Sequence, residues 1–205
     1  MKYILNAGFL WLGDSKLKIY KYKDYDEYVE WQIRTNKSKA GWVYVKESTI
    51  RQIVEVAPFA SNIICHGTRA GAEQKYFKKF LRNAYILGTE ISDNATDYPM
   101  TIQHDFHEQR EEWIEHFDAL YSNSFDHAYD PWKCIKTWGD QLKKGGMAFL
   151  EIASDPDVNR SKSTDPLQID NEKEVMDLLE HGGLEYVDRF YVGRGKCTVY
   201  IARKK

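Results

Sequence analysis

The sequence predicts an α/β fold in which a mostly parallel sheet is covered by helices on both faces. From residue 61 onward, short apolar segments alternate with amphipathic segments of helical period, and such repeated β–α units build a parallel sheet. The last two extended segments, 184–192 and 196–202, flank Gly193 and Gly195 and predict a terminal antiparallel hairpin. The first sixty residues follow a different pattern and predict an N-terminal extension.

Length and composition restrict the class of protein. The chain has 205 residues and a formal net charge of −2, which predicts about one globular domain and disfavours a dedicated nucleic-acid-binding protein. The hydrophobic fraction of 42% is enough for a packed core, and no apolar segment is long enough to span a membrane. Three widely spaced cysteines, Cys65, Cys134 and Cys197, favour a reduced, cytoplasmic protein without a disulfide framework.

The first segment, residues 1–60, contains a predicted β-hairpin and two predicted helices. Asp24 followed by Glu27 is typical of a capping box at the start of a helix. Pro58 marks the end of the second helix. The predicted elements are a hairpin (3–12 and 17–22), a helix (25–36), a polar loop (35–41) and a helix over roughly 50–57.

The second segment, residues 61–205, supplies the strands and helices of the sheet. Pro131 stands where proline is typical of the first turn of a helix. Residues 153–170 show no strand or helix pattern and exceed the usual length of a connection, which predicts a functional or mobile loop. Before the terminal hairpin, the predicted strands are 63–65, 85–90, 101–103, 118–122 and 147–152.

Glycines and an acid follow the first two of these strands. Gly67 and Gly71 lie in the turn after the first strand, where glycine permits a tight turn and a close approach of the backbone to a ligand. Glu90 ends the next strand, 23 residues after Gly67, and an acid at about this distance commonly accepts hydrogen bonds from ribose hydroxyls. Because ligands of open α/β sheets bind beyond the carboxyl ends of the strands, we expect a ligand site here.

The third strand also ends in residues that can bind a ligand. Asp105 can accept a hydrogen bond from an exocyclic amine, and Phe106 can pack on a flat ring. His104 and His107, with Asp105 or Glu108, offer an alternative interpretation as metal ligands. An extended backbone would place the two imidazoles on opposite faces, so we expect no metal.

The fourth strand leads into a polar cluster that contains Asn123, Ser124, Asp126 and His127. Side chains of this kind often cap a following helix, and Asp130 fits that role before Pro131. Capping explains less well why an acid and an imidazole are adjacent at 126 and 127. The cluster is therefore a candidate for the reacting part of the site.

Together these strand ends resemble the class I S-adenosylmethionine-dependent methyltransferases over roughly residues 60–204. The resemblance implies a Rossmann-like sheet of seven strands with an antiparallel terminal hairpin. Within that superfamily, the first two matching segments are similar to bacterial or phage-associated methyltransferases of unassigned substrate. The matching segments are 66–71 (His-Gly-Thr-Arg-Ala-Gly), 88–92 (Gly-Thr-Glu-Ile-Ser), 104–107 (His-Asp-Phe-His), 117–124 (Phe-Asp-Ala-Leu-Tyr-Ser-Asn-Ser) and 142–151 (Leu-Lys-Lys-Gly-Gly-Met-Ala-Phe-Leu-Glu).

The resemblance implies S-adenosyl-L-methionine as the cofactor and assigns residues to its parts. The turn after the first strand would pass the methionine portion, the next two strand ends would bind the ribose and adenine, and the methyl acceptor would lie near 123–127. The implied cofactor-binding residues are His66, Gly67, Thr68, Arg69, Gly71, Glu90, Ile91, Asp105, Phe106, Asn123 and Ser124.

The first motif departs from the family pattern. The family usually has an acidic residue ahead of the first glycine and a third glycine after the second. Here Cys65 and His66 precede Gly67, so the partner of the cofactor's amino group is open. Arg69 is a candidate partner for the cofactor's carboxylate, because a guanidinium pairs with a carboxylate in bidentate fashion.

His127 is the first candidate for a general base, because an imidazole titrates near neutral pH. Asp126 can orient the imidazole or act in its place, and His107 is the second candidate. The predicted function is methyl transfer to an oxygen or nitrogen atom of a small molecule, with a sugar-like acceptor as one candidate. Residues 1–60 are expected to cap the site or, alternatively, to form a homodimer contact.

Two other functions remain open from the sequence. A non-catalytic binding or partner protein on a methyltransferase fold would explain the irregular first motif. An NAD(P)-dependent short-chain dehydrogenase is suggested by the spacing of Tyr129 and Lys133 with Ser122 upstream. However, Pro131 lies between the two residues and places Tyr129 ahead of the helix rather than on one face with Lys133.

Overall fold

The computed structural model describes residues 17–154 and 160–205. The described strands are β1 (Lys18–Ile19), β2 (Asn62–His66), β3 (Tyr85–Glu90), β4 (Thr101–Gln103), β5 (Phe117–Ser122), β6 (Leu142–Ala153), β7 (Leu167–Gln168), β8 (Leu184–Val192) and β9 (Cys197–Lys204). The α-helices are α1 (Tyr25–Ser38), α2 (Glu47–Val56), α3 (Ala72–Phe80), α4 (Pro131–Gln141) and α5 (Glu172–His181).

Seven strands form one sheet in the order β4-β3-β2-β5-β6-β9-β8. Strands β2 to β6 run parallel, and β9 lies antiparallel between β6 and β8. The predicted parallel sheet and terminal hairpin are therefore confirmed. The chain builds outward from β2 to β4 and then returns to β5 on the other side of β2. This reversal of strand order is the switch point at which α/β sheets bind ligands.

Helices cover both faces of the sheet, as predicted. On one face, α4 and α5 pack against alternate strand residues that include Ile64 and Leu120. On the other face, α2 and α3 pack against the intervening residues, which include Ile63 and Tyr121. All four of these strand side chains are fully buried. A strand buried on both faces must be apolar at successive positions, which explains the continuous apolar runs of β2 and β5.

Helix α1 begins where the capping pattern predicts and ends later than predicted. The Asp24 side chain accepts a hydrogen bond from the Glu27 backbone N–H at 2.9 Å and caps the helix. The polar loop predicted over 35–41 is wrong for its first four residues, because α1 continues to Ser38. Thr35 and Asn36 are buried, since this part of the helix faces a cleft in the protein rather than solvent.

The long segment predicted as a loop over 153–170 contains a short strand. Strand β7 pairs antiparallel with β1, so that Leu167 lies opposite Ile19. The strand predicted over 17–22 thus has its described partner in 167–168. The other predicted arm of that hairpin, 3–12, lies outside the described residues. In the described part of the chain, no helix combines the length and apolar character needed to cross a membrane.

Candidate functional site

Two adjoining clefts lie beyond the carboxyl ends of β2, β3, β4 and β5. The first cleft encloses about 470 Å³ and the second about 1140 Å³, including their open mouths. Helix α1 forms one wall of the first cleft, and 39–44 forms one wall of the second. Gly67, Arg69, Ser124 and His127 line both clefts, so one ligand could extend from the first into the second.

The glycine turn after β2 is bonded to the loop after β5. Gly67 has a φ of +70°, and its N–H donates to the Thr89 carbonyl at 2.9 Å. The Ser124 hydroxyl donates to the Gly67 carbonyl at 3.0 Å. A Cβ at Gly67 would lie 2.6 Å from the Ser124 Cβ. Glycine is therefore required here both for the left-handed backbone and for the close approach of the two loops.

Glu90 presents a nearly buried carboxylate at the end of β3. Its Oε2 accepts a hydrogen bond from the Arg69 N–H at 2.9 Å, and its Oε1 accepts one from the Ser92 N–H at 3.2 Å. The side chain also lines the first cleft. An ionised carboxylate has about four lone-pair sites, so Glu90 retains capacity for two hydroxyl donors from a ligand.

Asp105 is held ionised by its neighbours. Its Oδ1 accepts hydrogen bonds from the N–H and the Nδ1 of His107 at 2.9 and 2.7 Å, and its Oδ2 accepts one from the Tyr25 hydroxyl at 2.6 Å. Burial would raise the pKa of Asp105, but the His107 and Tyr25 hydrogen bonds bring it down to about 2. Phe106 lies next to it on the wall of the first cleft. The carboxylate thus also ties α1 to the end of β4.

His66 turns its side chain away from both clefts. Its Nε2 donates to Gln141 Oε1 and its Nδ1 accepts from the Thr89 hydroxyl, both at 2.8 Å, and the ring stacks on Trp138 at 4.8 Å. Burial lowers the pKa of His66 to about 3, although the Gln141 hydrogen bond acts in the opposite direction. The predicted contact of this side chain with a cofactor is therefore not available in this structure, and the imidazole instead joins β2 to β3 and α4.

The other predicted cofactor-binding residues lie in the glycine turn or directly after β3 and β5. Arg69, with a φ of +45°, donates from Nη1 to the Trp42 carbonyl at 3.2 Å and lies over the Tyr44 ring. Thr68 lines the second cleft and accepts a hydrogen bond from Gln74 at 3.0 Å. Gly71 caps α3 with a φ of +71°. Ile91 lines the first cleft, and Asn123 lines the second.

His127 is oriented by residues that the sequence did not single out for this role. The Gln32 amide nitrogen donates to the Thr164 carbonyl at 3.3 Å, which leaves its oxygen 2.8 Å from His127 Nδ1. An amide oxygen only accepts hydrogen bonds, so Nδ1 carries a proton, and in the neutral imidazole Nε2 has the lone pair. His127 Nε2 lies 3.6 Å from Asp165 and 3.9 Å from Asp126. Asp165 is thus slightly closer to the imidazole than the predicted partner Asp126.

Two groups of residues were considered as possible metal ligands. His104 Nε2 donates to the Glu108 carbonyl at 2.8 Å, and His107 Nδ1 donates to Asp105 Oδ1 at 2.7 Å. The alternative metal site predicted there is thus engaged in other hydrogen bonds. Among the described residues, Asp126, His127 and Asp165 offer ligand atoms within 4.8 Å of one another, a set that could hold a metal ion.

The dehydrogenase arrangement is not assembled. Tyr129 precedes α4 and packs on the rings of Tyr28 and His107 at 4.6 and 4.2 Å. Lys133, on the first turn of α4, forms an ion pair with Glu108. The two side chains therefore have separate partners and do not form a joint site.

Several solved structures similar to this chain are methyltransferases, and one is the [4+2]-cyclase SpnF, with a TM-score of 0.62 at 14% identity, covering 77% of this chain and 80% of that one. A 1,6-didemethyltoxoflavin-N1-methyltransferase from Burkholderia thailandensis has a TM-score of 0.71 at 14% identity, covering 95% of this chain and 98% of that one. A TehB-like SAM-dependent methyltransferase from Corynebacterium glutamicum has a TM-score of 0.60 at 16% identity, covering 89% and 100%. The N-methyltransferase NodS from Bradyrhizobium japonicum has a TM-score of 0.58 at 16% identity, covering 77% and 93%.

No protein-family model and no curated protein matches the sequence. At identities of 14 to 16%, the similarity to the solved structures concerns the fold. The seven-stranded sheet with its antiparallel terminal hairpin agrees with that similarity. This chain therefore has the fold of the S-adenosylmethionine-dependent methyltransferases.

Proposed function

We propose that the protein is an S-adenosylmethionine-dependent methyltransferase that acts on an oxygen or nitrogen atom of a small molecule. The observation that carries this proposal is the position of Glu90. Its carboxylate ends β3, faces the Gly67 turn at the switch point of the sheet, and shares a cleft with Asp105 and Phe106. The similar Burkholderia thailandensis structure was crystallised with S-adenosylhomocysteine bound, which supports the same cofactor here.

The chemistry of the clefts fits S-adenosylmethionine. The cofactor carries a diol, a flat purine, and an amino acid portion with an ammonium and a carboxylate. Glu90 would accept from the diol, Phe106 would pack on the purine, and the Gly67 turn with Arg69 would hold the amino acid portion. Asn123 and Ser124 would complete the wall between the two clefts. When bound, the cofactor supplies a methyl group on a sulfonium. The neutral thioether that departs from this methyl group is a good leaving group.

The residues of the acceptor side would hold the substrate and take a proton from it. With its Nδ1 proton donated to Gln32, His127 presents the basic Nε2 atom toward Asp126 and Asp165. Both carboxyl groups lie within 4 Å of Nε2 and would stabilise the imidazolium that forms after proton transfer. We therefore assign His127 as the general base, with Gln32 as the positioning residue and the two carboxylates as its electrostatic support.

We also propose that the N-terminal segment predicted over residues 1–60, which is described from residue 17 onward, caps the site as part of the same function. Described residues of α1 support this role, because Tyr25 bonds to Asp105 and Gln32 bonds to His127. Trp42 and Tyr44 extend the cover over the second cleft. Such a cover would exclude water and align the acceptor, effects that can lower a barrier by several kcal/mol.

Calorimetric titration with S-adenosylmethionine and S-adenosylhomocysteine tests the cofactor assignment, with NADH as the control ligand. We expect affinities in about the micromolar range for both adenosyl ligands, equivalent to about 8 kcal/mol. Glu90→Gln should weaken the affinities for both adenosyl ligands by about tenfold or more, because it removes the charge that strengthens the ribose hydrogen bonds. Glu180→Gln, on the exposed surface of α5, is the matched control. Absence of adenosyl binding, or binding of NADH instead, would contradict the proposal.

A second experiment separates an enzyme from a binding protein on the same fold. The protein is incubated with S-adenosylmethionine and a panel of small amines, phenols and alcohols, and release of S-adenosylhomocysteine is measured. Acceptor-dependent release supports methyl transfer. Adenosyl binding without release from any panel member favours the non-catalytic alternative.

A further inference from the structure

Glu73 is an acidic residue that lines the second cleft and has no part in the contacts proposed for the ribose, the purine or the methyl acceptor. It lies on the first turn of α3, directly after the Gly67–Gly71 turn, and only 6% of the residue is exposed. Its side chain shares the lining of the cleft with Thr68 and Arg69. Among the residues that the structure describes, none forms a hydrogen bond with Glu73 Oε2. A buried carboxyl oxygen without a donor is costly and points to a missing ligand.

The surroundings of Glu73 call for a positive charge. Burial raises the pKa of Glu73 to about 8, and the nearby carboxylates of Glu90 and Glu151 act in the same direction. Arg69 acts in the opposite direction, and its Nη1 donates to the Trp42 carbonyl while its other donors remain for a ligand. Two further titratable neighbours, Cys65 and Tyr121, bring no positive charge. Lys39 and Lys162 also line the cleft, and Lys162 forms an ion pair with Asp165. A cation bound in the cleft beside Glu73 would stabilise the ionised carboxyl group.

We propose that Glu73 binds the α-ammonium group of the cofactor, next to Arg69 as the partner of its carboxylate. This inference rests on the proposed function. In an α-amino acid, a positive ammonium group and a negative carboxylate are attached to the same carbon. Glu73 and Arg69 line the same cleft and offer the complementary negative and positive charges. Glu90 lies on the other side of the glycine turn, where it would hold the ribose. Cys65 and His66 supply no carboxylate ahead of Gly67, and Glu73 supplies one from the following helix.

The test compares two adenosyl ligands on two proteins. S-adenosylhomocysteine has the amino acid portion, whereas 5′-methylthioadenosine has the same nucleoside and thioether without it. Glu73→Gln keeps the size of the side chain and removes its negative charge. We expect Glu73→Gln to weaken the affinity for S-adenosylhomocysteine by about tenfold or more. The affinity for 5′-methylthioadenosine should weaken by less than about twofold, and calorimetry measures both. Glu180→Gln should change neither affinity.

Each other outcome of this comparison is informative. Equal weakening of both ligands would show that Glu73 supports the fold of the cleft, and unchanged S-adenosylhomocysteine affinity would exclude the ammonium contact. Both results would overturn the inference while leaving the proposed function intact. Failure of the wild-type protein to bind either ligand would instead overturn the proposed function and the inference together.

A second measurement uses the wild-type protein in case Glu73→Gln does not fold. The ammonium requires the ionised form of Glu73, which is the minor form below a pH of about 8. Affinity for S-adenosylhomocysteine should therefore rise with pH from about 6 to 8, by at most about tenfold per unit. Affinity for 5′-methylthioadenosine should not share this rise. Parallel pH profiles of the two ligands would contradict the ammonium contact.

Discussion

Gly67→Ala tests whether the contact between the Gly67 turn and Ser124 shapes the site. The substitution affects two features at once, because Gly67 has a φ of +70° and its missing Cβ would lie 2.6 Å from the Ser124 Cβ and 2.9 Å from its Oγ. Either the turn or the loop after β5 must move. The hydrogen bond from Ser124 Oγ to the Gly67 carbonyl would be strained or lost with that movement.

The magnitude follows from these separate contributions. A left-handed backbone costs a residue with a Cβ about 1–2 kcal/mol. Overpacking against Ser124 adds about 1–3 kcal/mol, and the weakened hydrogen bond adds about 1 kcal/mol. We expect Gly67→Ala to lower the free energy of unfolding by about 3–6 kcal/mol, a large part of the stability of an ordinary domain. It should also weaken S-adenosylhomocysteine binding, because both displaced segments line the two clefts.

Equilibrium unfolding in urea, followed by tryptophan fluorescence, measures this effect. Gly145→Ala is the matched control, because Gly145 has a φ of +78° and no atom near its missing Cβ, so only the backbone strain applies. Ser124→Gly in the Gly67→Ala background removes the clashing Cβ and Oγ and should restore about 1–2 kcal/mol. Equal losses for Gly67→Ala and Gly145→Ala, with no recovery in the double variant, would refute the close-contact explanation.

Two further predictions concern histidines with opposite roles. The folded protein binds a proton at His66 more weakly than the unfolded chain does, because burial lowers the pKa from 6.5 to about 3. Its contribution to stability is therefore complete above pH 6.5 and is lost as the pH falls toward 3, by at most about 1.4 kcal/mol per unit. In urea unfolding at several pH values, His66→Gln should show a shallower acid loss than the wild type, and parallel curves would contradict the buried neutral imidazole. His127→Gln should lower the turnover number with a panel acceptor by about 10²-fold or more while changing S-adenosylhomocysteine affinity by less than about twofold. Unchanged turnover would exclude His127 as the base.

Local sequence signals predicted the central sheet well. Strand β3 was predicted at its observed bounds, and Pro131 begins α4 as expected. These elements depend on apolar runs and on turn or cap residues within a few positions, which can be recognised in the sequence. Strand β7 could not be recognised in this way, because its two residues are a strand only through pairing with β1, far away in the chain.

The parts of the candidate site that lie at strand ends could be predicted from the sequence. Gly67 and Glu90 were found by their spacing, and the structure brings their loops together through the Arg69 N–H. Gln32 was not found, because its contact with His127 spans 95 positions and a glutamine on a helix has no distinctive signal. Glu73 was also missed, since an acid in the first turn of a helix is ordinarily explained by the helix dipole.

The direction of a side chain at a strand end was the hardest feature to predict. His66 directly precedes Gly67 and was expected to contact the cofactor. The pleat turns it toward α4, where Gln141 and Trp138 supply a hydrogen bond and a stacking surface. Both partners come from a helix about 70 residues away, so neighbouring residues could not reveal the orientation.

A crystal structure of the protein with S-adenosylhomocysteine would show where the cofactor binds. We expect the ribose hydroxyls within hydrogen-bond distance of Glu90, the purine against Phe106, and the amino acid portion extending past Gly67 into the second cleft toward Glu73 and Arg69. An adenosyl ligand bound away from the carboxyl ends of β2 and β3, or with its ribose on other groups than Glu90, would contradict it.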